Sequence, residues 1–126
     1  MKTILSTSKA PQPVGPYNQA VFKAGFLFVS GQIAIDVNSK MLYSGDIEKE
    51  TKIVMKNVEN ILNEAGLSFE NVVKSTIYTI DMGKFSEINR VYGSFFNEKT
   101  APARETVEVT GLPLGANVEI SVVAMK

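Results

Sequence analysis

Arg104 and Glu119 are the two side chains of this sequence best placed by type and setting to do chemistry. Arg104 follows a loop punctuated by Pro102, at the start of a segment that reads as a strand. A guanidinium offers a rigid fork that can hold a carboxylate by two parallel hydrogen bonds. The plain alternative is a surface arginine, or an ion pair with Glu105 or Glu108. Neighbouring strand residues point to opposite faces, so Glu105 should face away from Arg104. Glu119 lies in a closing strand where Val118, Ile120, Val122 and Ala124 form one side, and Glu119, Ser121 and Val123 the other. If the first set meets the core, Glu119 belongs to the opposite face. Covered by a second subunit, a carboxyl there would be partly desolvated, which raises its pKa and suits it to general acid-base work. The alternative is an exposed or salt-bridged strand glutamate.

Three other places could serve such a pair. Tyr17 follows Gly15-Pro16, a pair that fixes a turn just before a strand, so a rigid loop presents its phenol. It could orient a ligand or simply pack. Ser30 and Gly31 end an apolar strand, and a glycine allows close approach to the backbone and its free N–H groups. A strand end with a turn glycine explains them equally well. Asn89 borders the apolar stripe of a second helix and should find a buried partner, or else tie that helix to the sheet.

Composition narrows the chemistry by exclusion. The chain has no Cys and no His, so disulfides, thiolate nucleophiles, Cys/His zinc sites and a Ser-His-Asp triad are impossible. Acid-base work near neutrality falls to Glu, Asp, Tyr, Lys or ordered water. There is no Gly-rich nucleotide loop and no metal cluster, so no cofactor and no metal is expected. Thirteen basic residues balance thirteen acidic ones without a basic block, which argues against nucleic-acid or membrane-surface partners. The start is too short in apolar residues for a signal peptide, and no apolar run approaches a membrane span, so the expected address is cytoplasmic.

The elements that must hold these residues follow from periodicity. Residues 1–126 read as a single domain, large enough to bury one core. Thr3 to Thr7, Ala20 to Lys23 and Phe26 to Ser30 read as strands, the latter two as a hairpin around Gly25. Asp46 can cap a helix to Ala65 whose stripe is Val54, Met55, Val58, Ile61 and Leu62, with Gly66 as its left-handed stop. Val72 to Ile80 reads as a strand. Asp81 can cap a second helix from Met82 to Glu98, with Phe85, Ile88, Tyr92, Phe95 and Phe96 along one side. Arg104 to Thr110 and Asn117 to Met125 complete the strands. This is an α+β pattern with one sheet and two helices. Two helices cover only one face, yet Phe26–Val29 and Val122–Met125 offer apolar side chains to both. The bare face is most simply covered by another copy of the chain.

Taken in order, several blocks resemble the RidA/YjgF family over nearly the whole chain. They are Gly15-Pro16-Tyr17-Asn18-Gln19-Ala20, Val29-Ser30-Gly31-Gln32-Ile33, Gly45-Asp46-Ile47, Asn57 to Leu62, Asn89 to Phe96, Pro102-Ala103-Arg104, Val107-Glu108-Val109, Leu112-Pro113 and Val118-Glu119-Ile120. The resemblance implies a fold similar to bacterial-type chorismate mutase, a mixed sheet with two helices on one face. It implies a homotrimer closing its sheets into a central barrel, with sites in clefts between subunits. It also implies hydrolysis of small reactive 2-imino acids to 2-oxo acids and ammonia. On that resemblance Arg104 grips the substrate carboxylate, Glu119 activates water, Tyr17 and Ser30 shape the pocket, backbone groups around Gly31 and Thr106 assist, and Asn89 supports the wall. An iminium carbon is already electrophilic, so positioning supplies much of the effect.

This chain departs from the family in two places. Glu105-Thr106 stands where many members carry Ser-Cys, which removes a thiol and adds a charge near Arg104. The turn at Asn38-Ser39-Lys40 lacks a glycine common there. The competing readings are a non-catalytic carboxylate sensor or protein-binding regulator using the same cleft, a chorismate-mutase-like isomerase, and an RNase. Retention of both Arg104 and Glu119 favours the enzyme, since a binding module has no need of the carboxyl.

Overall fold

Strands β1 (Thr3–Leu5), β2 (Ala20–Lys23), β3 (Phe26–Gln32), β4 (Val72–Thr79), β5 (Ala103–Glu108) and β6 (Val118–Met125) make one mixed sheet in a computed structural model covering residues 1–126. Their order across the sheet is β1-β2-β3-β6-β4-β5. Neighbours are antiparallel except β4 and β5. A parallel pair needs a long crossover, and helix α2 (Phe85–Gly93) supplies it. β3 and β4 both run against β6 and are therefore parallel to each other, with helix α1 (Ile47–Glu64) in the connection. Both helices lie on one face, as the apolar pattern predicts.

α1 forms where capping and periodicity agree. Asp46 Oδ1 accepts from the Glu48 N–H at 3.0 Å, satisfying a free donor of the first turn. Val54, Met55, Val58, Ile61 and Leu62 are fully buried against the sheet. At the far end Gly66 turns left-handed at φ 74, and the Leu67 N–H returns to the Leu62 carbonyl at 2.9 Å. The facing sheet surface contributes Leu27, Ile77, Val118, Ile120 and Ala124, each no more than 1% exposed. Full burial of a large aliphatic side chain contributes about 1.5–3 kcal/mol, so this layer carries the fold.

Several elements are shorter than the sequence predicts, with β1 ending at Leu5 rather than Thr7, and two of them bear on the site. The second helix does not run from 82 to 98. It opens with a 3-10 turn at Met82–Lys84, which Asp81 caps, and ends at Gly93. Bonds from Phe95 to Tyr92 and from Phe96 to Gly93 then tighten the chain into turns. That turning brings both adjacent phenylalanines onto one ring, with Phe95 and Phe96 5.4 and 5.0 Å from Phe69. Consecutive residues of a continuing helix would diverge by about 100°. β5 stops at Glu108, whose carboxylate leaves the ladder to accept from the Met82 N–H at 2.7 Å.

Three residues other than glycine use left-handed backbone: Ala24 (φ 52) in the β2–β3 turn, Lys40 and Leu114. Lys40 (φ 63) closes the turn that follows Asp36, while Asp36 Oδ1 accepts from Asn38 and Ser39 at 2.8 and 2.9 Å. Those N–H groups hold the Asp36 carboxyl below its ordinary range. Leu114 (φ 58, ψ 19) sits inside the Pro113–Gly115 turn ahead of β6. Such a conformation costs a branched L-residue about 1–2 kcal/mol.

The second face of the sheet has no helix over it. Phe28 and Val107 project there and are 49% and 41% exposed. No helix of the chain is long and apolar enough to cross a membrane.

Candidate active site

Arg104 projects from β5 onto the helix side of the sheet, at the edge where α2 crosses. Its guanidinium lies 5.0 Å from the Tyr92 ring centre and 5.7 Å from that of Phe85. Nη1 donates to Asn89 Oδ1 at 2.7 Å. Two aromatic faces and one amide thus fix the plane of the fork. No carboxylate pairs with it. Glu105 faces the other way, as alternation requires, and pairs with Lys74 Nζ at 3.1 Å while accepting from Thr76 Oγ1 at 3.1 Å. Glu108 is occupied with Met82. Both intrachain partners suggested by the sequence are therefore engaged elsewhere, and Arg104 keeps an unneutralised charge. Asn89 is exposed rather than buried, because its partner lies at the rim and not in the core.

Around this fork lie hydroxyls without partners. Ser75 pairs with Arg104 across the β4–β5 ladder, and Thr106 follows two residues along on the same side. Ser75 Oγ, Tyr92 Oη and Thr106 Oγ1 are all buried with no hydrogen-bond partner. Burial pushes the Tyr92 phenol up, with the Arg104 charge pulling the other way. A shelf of buried hydroxyls beside an unpaired guanidinium is a polar, electropositive surface suited to an anionic ligand.

Glu119 occupies the opposite side of the sheet. Val118, Ile120 and Val122 of β6 are buried towards the helices, so alternation sends Glu119 to the other face. It lines a cavity of 610 Å³ together with Tyr17, Ser30, Gly31 and the Pro11–Val14 loop. Partial burial raises its pKa above the ordinary glutamate value. Gly31 sits in an irregular stretch of the β3–β6 ladder between Val29 and Gln32. A Cβ on Gly31 would come within 2.5 Å of Glu119 Oε2. The missing side chain is thus what lets the carboxyl lie flat against the β3 backbone. The Ser30 hydroxyl donates to the Asn18 carbonyl at 2.5 Å, which leaves its oxygen free to accept. Tyr17 is half exposed, and its hydroxyl accepts from the Val14 N–H at 3.4 Å.

Tyr17, Ser30, Gly31 and Glu119 therefore share one cavity, whereas Arg104, Asn89 and Thr106 form a separate group across the sheet. Within one chain the guanidinium and the carboxyl cannot reach a common small ligand. Apart from Glu119, the cavity is walled mainly by Pro11, Pro13, Val14, Ile33, Ile35, Pro113 and Leu114. No set of three or more Asp or Glu side chains has the arrangement to hold a metal ion.

Three buried polar residues that position these groups escape the sequence reading. Gln19 accepts from the Thr7 N–H at 2.7 Å and donates to the carbonyls of Thr7, Ala10 and Pro11, folding the proline loop over the cavity. Asn57 donates from α1 to the carbonyls of Ile33 and Ile35 at 3.2 and 3.0 Å. Glu50 is completely buried, and its two oxygens accept from the backbone and side chain of Asn117, both at 2.8 Å. This anchors the start of β6, two residues before Glu119. The signal for Glu50 is its place three residues after Ile47 and four before Val54, on the apolar stripe where a lone carboxylate needs donors.

A single mixed sheet with two helices on one face, a charged fork and a cavity-lined carboxyl define a small α+β domain with small-molecule sites. The family described as Endoribonuclease L-PSP matches residues 7–126, and the chain belongs to that family, the YjgF/RidA family. A RutC family protein of Aquifex aeolicus is 52% identical over 123 residues, covering 97% of this chain and 98% of the relative. A 2-iminobutanoate/2-iminopropanoate deaminase of Homo sapiens is 40% identical over 126 residues, covering 100% of this chain and 91% of the relative. Among solved structures, a Yersinia pestis protein of the conserved Rid family superposes with a TM-score of 0.97 at 41% identity, covering 100% of both chains.

Proposed function

We propose that this protein hydrolyses 2-imino acids to 2-oxo acids and ammonia, at sites each assembled from two copies of the chain. The observation that carries the reading is the division of the chemistry. An unneutralised Arg104 fork lies on one face of the sheet, and a Glu119 carboxyl with a raised pKa lies in a cavity on the other. A neighbouring copy that brings its Arg104 to the Glu119 cavity completes a site, and three copies, each setting its β5 edge against the bare face of the next, would close a ring with three such sites. The exposed Phe28 and Val107 give the bare face its apolar area for that contact. The human relative bearing the deaminase name supports the same reading.

Catalysis then needs little beyond placement. Arg104 of one copy binds the substrate carboxylate by a bidentate contact. This sets the imine carbon beside the cavity wall formed by Ser30, Gly31 and Glu119. Glu119 takes a proton from a water as its oxygen attacks the carbon of the protonated imine, giving a neutral tetrahedral carbinolamine. The carboxyl returns that proton to nitrogen, the C–N bond breaks, and the hydroxyl proton passes through the carboxylate to the departing ammonia, which leaves as ammonium as the carbonyl forms. The Ser30 oxygen accepts from the imine N–H. A carboxyl desolvated enough to raise its pKa holds and returns a proton near neutrality better than an exposed one. The family description names an endoribonuclease, but balanced charge and the lack of histidine give a poor footing for cleaving a polyanion.

The test is a coupled assay in which an amino-acid oxidase generates 2-imino acids and 2-oxo acid release is timed. Wild type is expected to accelerate release, while Arg104→Ala and Glu119→Gln each abolish the acceleration with folding and assembly intact. Dissociating and reassembling the two variants together should restore activity at about a quarter of the sites, since each mixed contact can unite one intact Arg104 with one intact Glu119. Recovery of nothing would sink the shared site. No acceleration by wild type, with 2-oxo acids still binding at Arg104, would make the protein a carboxylate sensor.

A further inference from the structure

Leu114 is held in the left-handed region at φ 58 and ψ 19, between Pro113 and Gly115. It is 74% exposed, so no core contact repays its conformation. Strained backbone on an exposed apolar residue points to a function at that position rather than to packing. The side chain lines the Glu119 cavity and also borders the adjoining one, with Val14, itself 91% exposed, in both walls. The two residues form an apolar lip at the mouth of a cavity whose reactive end is Glu119.

The cavity's size says what such a lip would meet. A four-carbon imino acid displaces about the volume of four waters, at about 30 Å³ each. The cavity holds 610 Å³. Tyr17, Ser30 and Glu119 suit the reacting end of a substrate; Gln12, Gln19 and Gln32 also line the cavity but give their amide N–H groups to backbone carbonyls, and Ile33, Pro113 and Leu114 offer nothing to a charged or hydrogen-bonding group. In the single chain the space beyond the reacting carbon is mainly apolar and larger than a methyl or ethyl group needs, and a neighbouring copy's Arg104 takes up part of it.

We propose that Leu114 is a specificity-determining residue that packs on the side chain of the substrate and favours branched, longer apolar 2-imino acids over 2-iminopropanoate. The inference rests on the deaminase reading and adds the side-chain class and the residue that selects it. Leu114→Gly and Leu114→Asn are the suitable variants, because both residues tolerate positive φ and leave the turn intact.

The experiment measures kcat/KM for the imino acids made from leucine and from alanine, with the binding of the two corresponding 2-oxo acids followed by calorimetry. Wild type should prefer the leucine-derived compound. In both variants that preference should fall about tenfold, through loss of rate on the longer substrate, with the alanine-derived one unchanged. Chromatographic size is measured alongside. A preference that survives in both variants, or a wild type that does not discriminate in either assay, overturns the proposal while leaving any deaminase activity standing. A change of assembly state with selectivity unchanged would assign Leu114 to a subunit contact and overturn it as well. If wild type accelerates no imino acid, the deaminase reading fails, and the 2-oxo acid affinities still decide whether Leu114 selects the longer chain.

Discussion

Replacing Gly31 by alanine should disable the site without disturbing the fold. The added Cβ would stand 2.5 Å from Glu119 Oε2, 2.7 Å from Cδ and 3.1 Å from Cγ. Ordinary contact begins near 3.4 Å, so the carboxyl must retreat by about an ångström. The obstacle is the far end of a flexible side chain on the open side of the sheet, which can swing aside. Gly31 does not use positive φ, so alanine adds no backbone strain and trims the unfolded chain's freedom, worth up to about 1 kcal/mol in favour of folding. Misplacing a catalytic group by about 1 Å can cost about 100-fold in rate. The expected result is a kcat lower by about two orders of magnitude in the coupled imine assay. Thermal stability should be unchanged or slightly higher, and 2-oxo acids should bind as before. A kcat within threefold of wild type would show that the observed position of Glu119 is not the reactive one. A variant that unfolds would show that the carboxyl cannot yield, and that Gly31 serves the ladder rather than the cavity.

The titration of Glu119 and the buried Glu50 give two further expectations. Glu119 has a raised folded-state pKa, so its ionisation opposes folding. The penalty is absent below the unfolded value near 4.5 and grows as pH rises through the folded value. Glu119→Gln should therefore match wild type in denaturant melts near pH 3.5 and exceed its stability at pH 7; equal stability at both would contradict the desolvation argument. Glu50→Ala removes a fully buried carboxylate and both of its bonds to Asn117. Equilibrium denaturation should register a loss of about 3 kcal/mol, and a loss under 1 kcal/mol would mean that β6 is anchored by other contacts.

The periodic parts of this chain were legible because their signals are local. Asp46, the stripe from Val54 to Leu62 and Gly66 mark α1 almost to the residue. Alternation separates Glu119 from the Val118–Ile120–Val122 set and Glu105 from Arg104. Phe95 and Phe96 misled because helical spacing and a turn that gathers both rings onto Phe69 leave the same apolar signature. Arg104 and Glu119 could be named from type and setting, but their placement on opposite faces depends on which strand sides meet the helices. The polar supports Gln19, Glu50 and Asn57 make contacts over separations of up to 67 residues, and no local pattern encodes such partners.

β6 occupies the middle of the sheet although it comes last in the chain. β3 and β4 each pair with it and not with each other. Until residues 118–125 are in place, β1-β2-β3 and β4-β5 are two half-sheets, each with an unpaired strand edge. Cooperative folding must wait for the final strand to slot between them, closing contacts as distant in sequence as Phe26 with Met125. Such non-local closure places the chain among slower-folding topologies. Losing a few residues from β6 would remove the centre of the sheet rather than fray its rim.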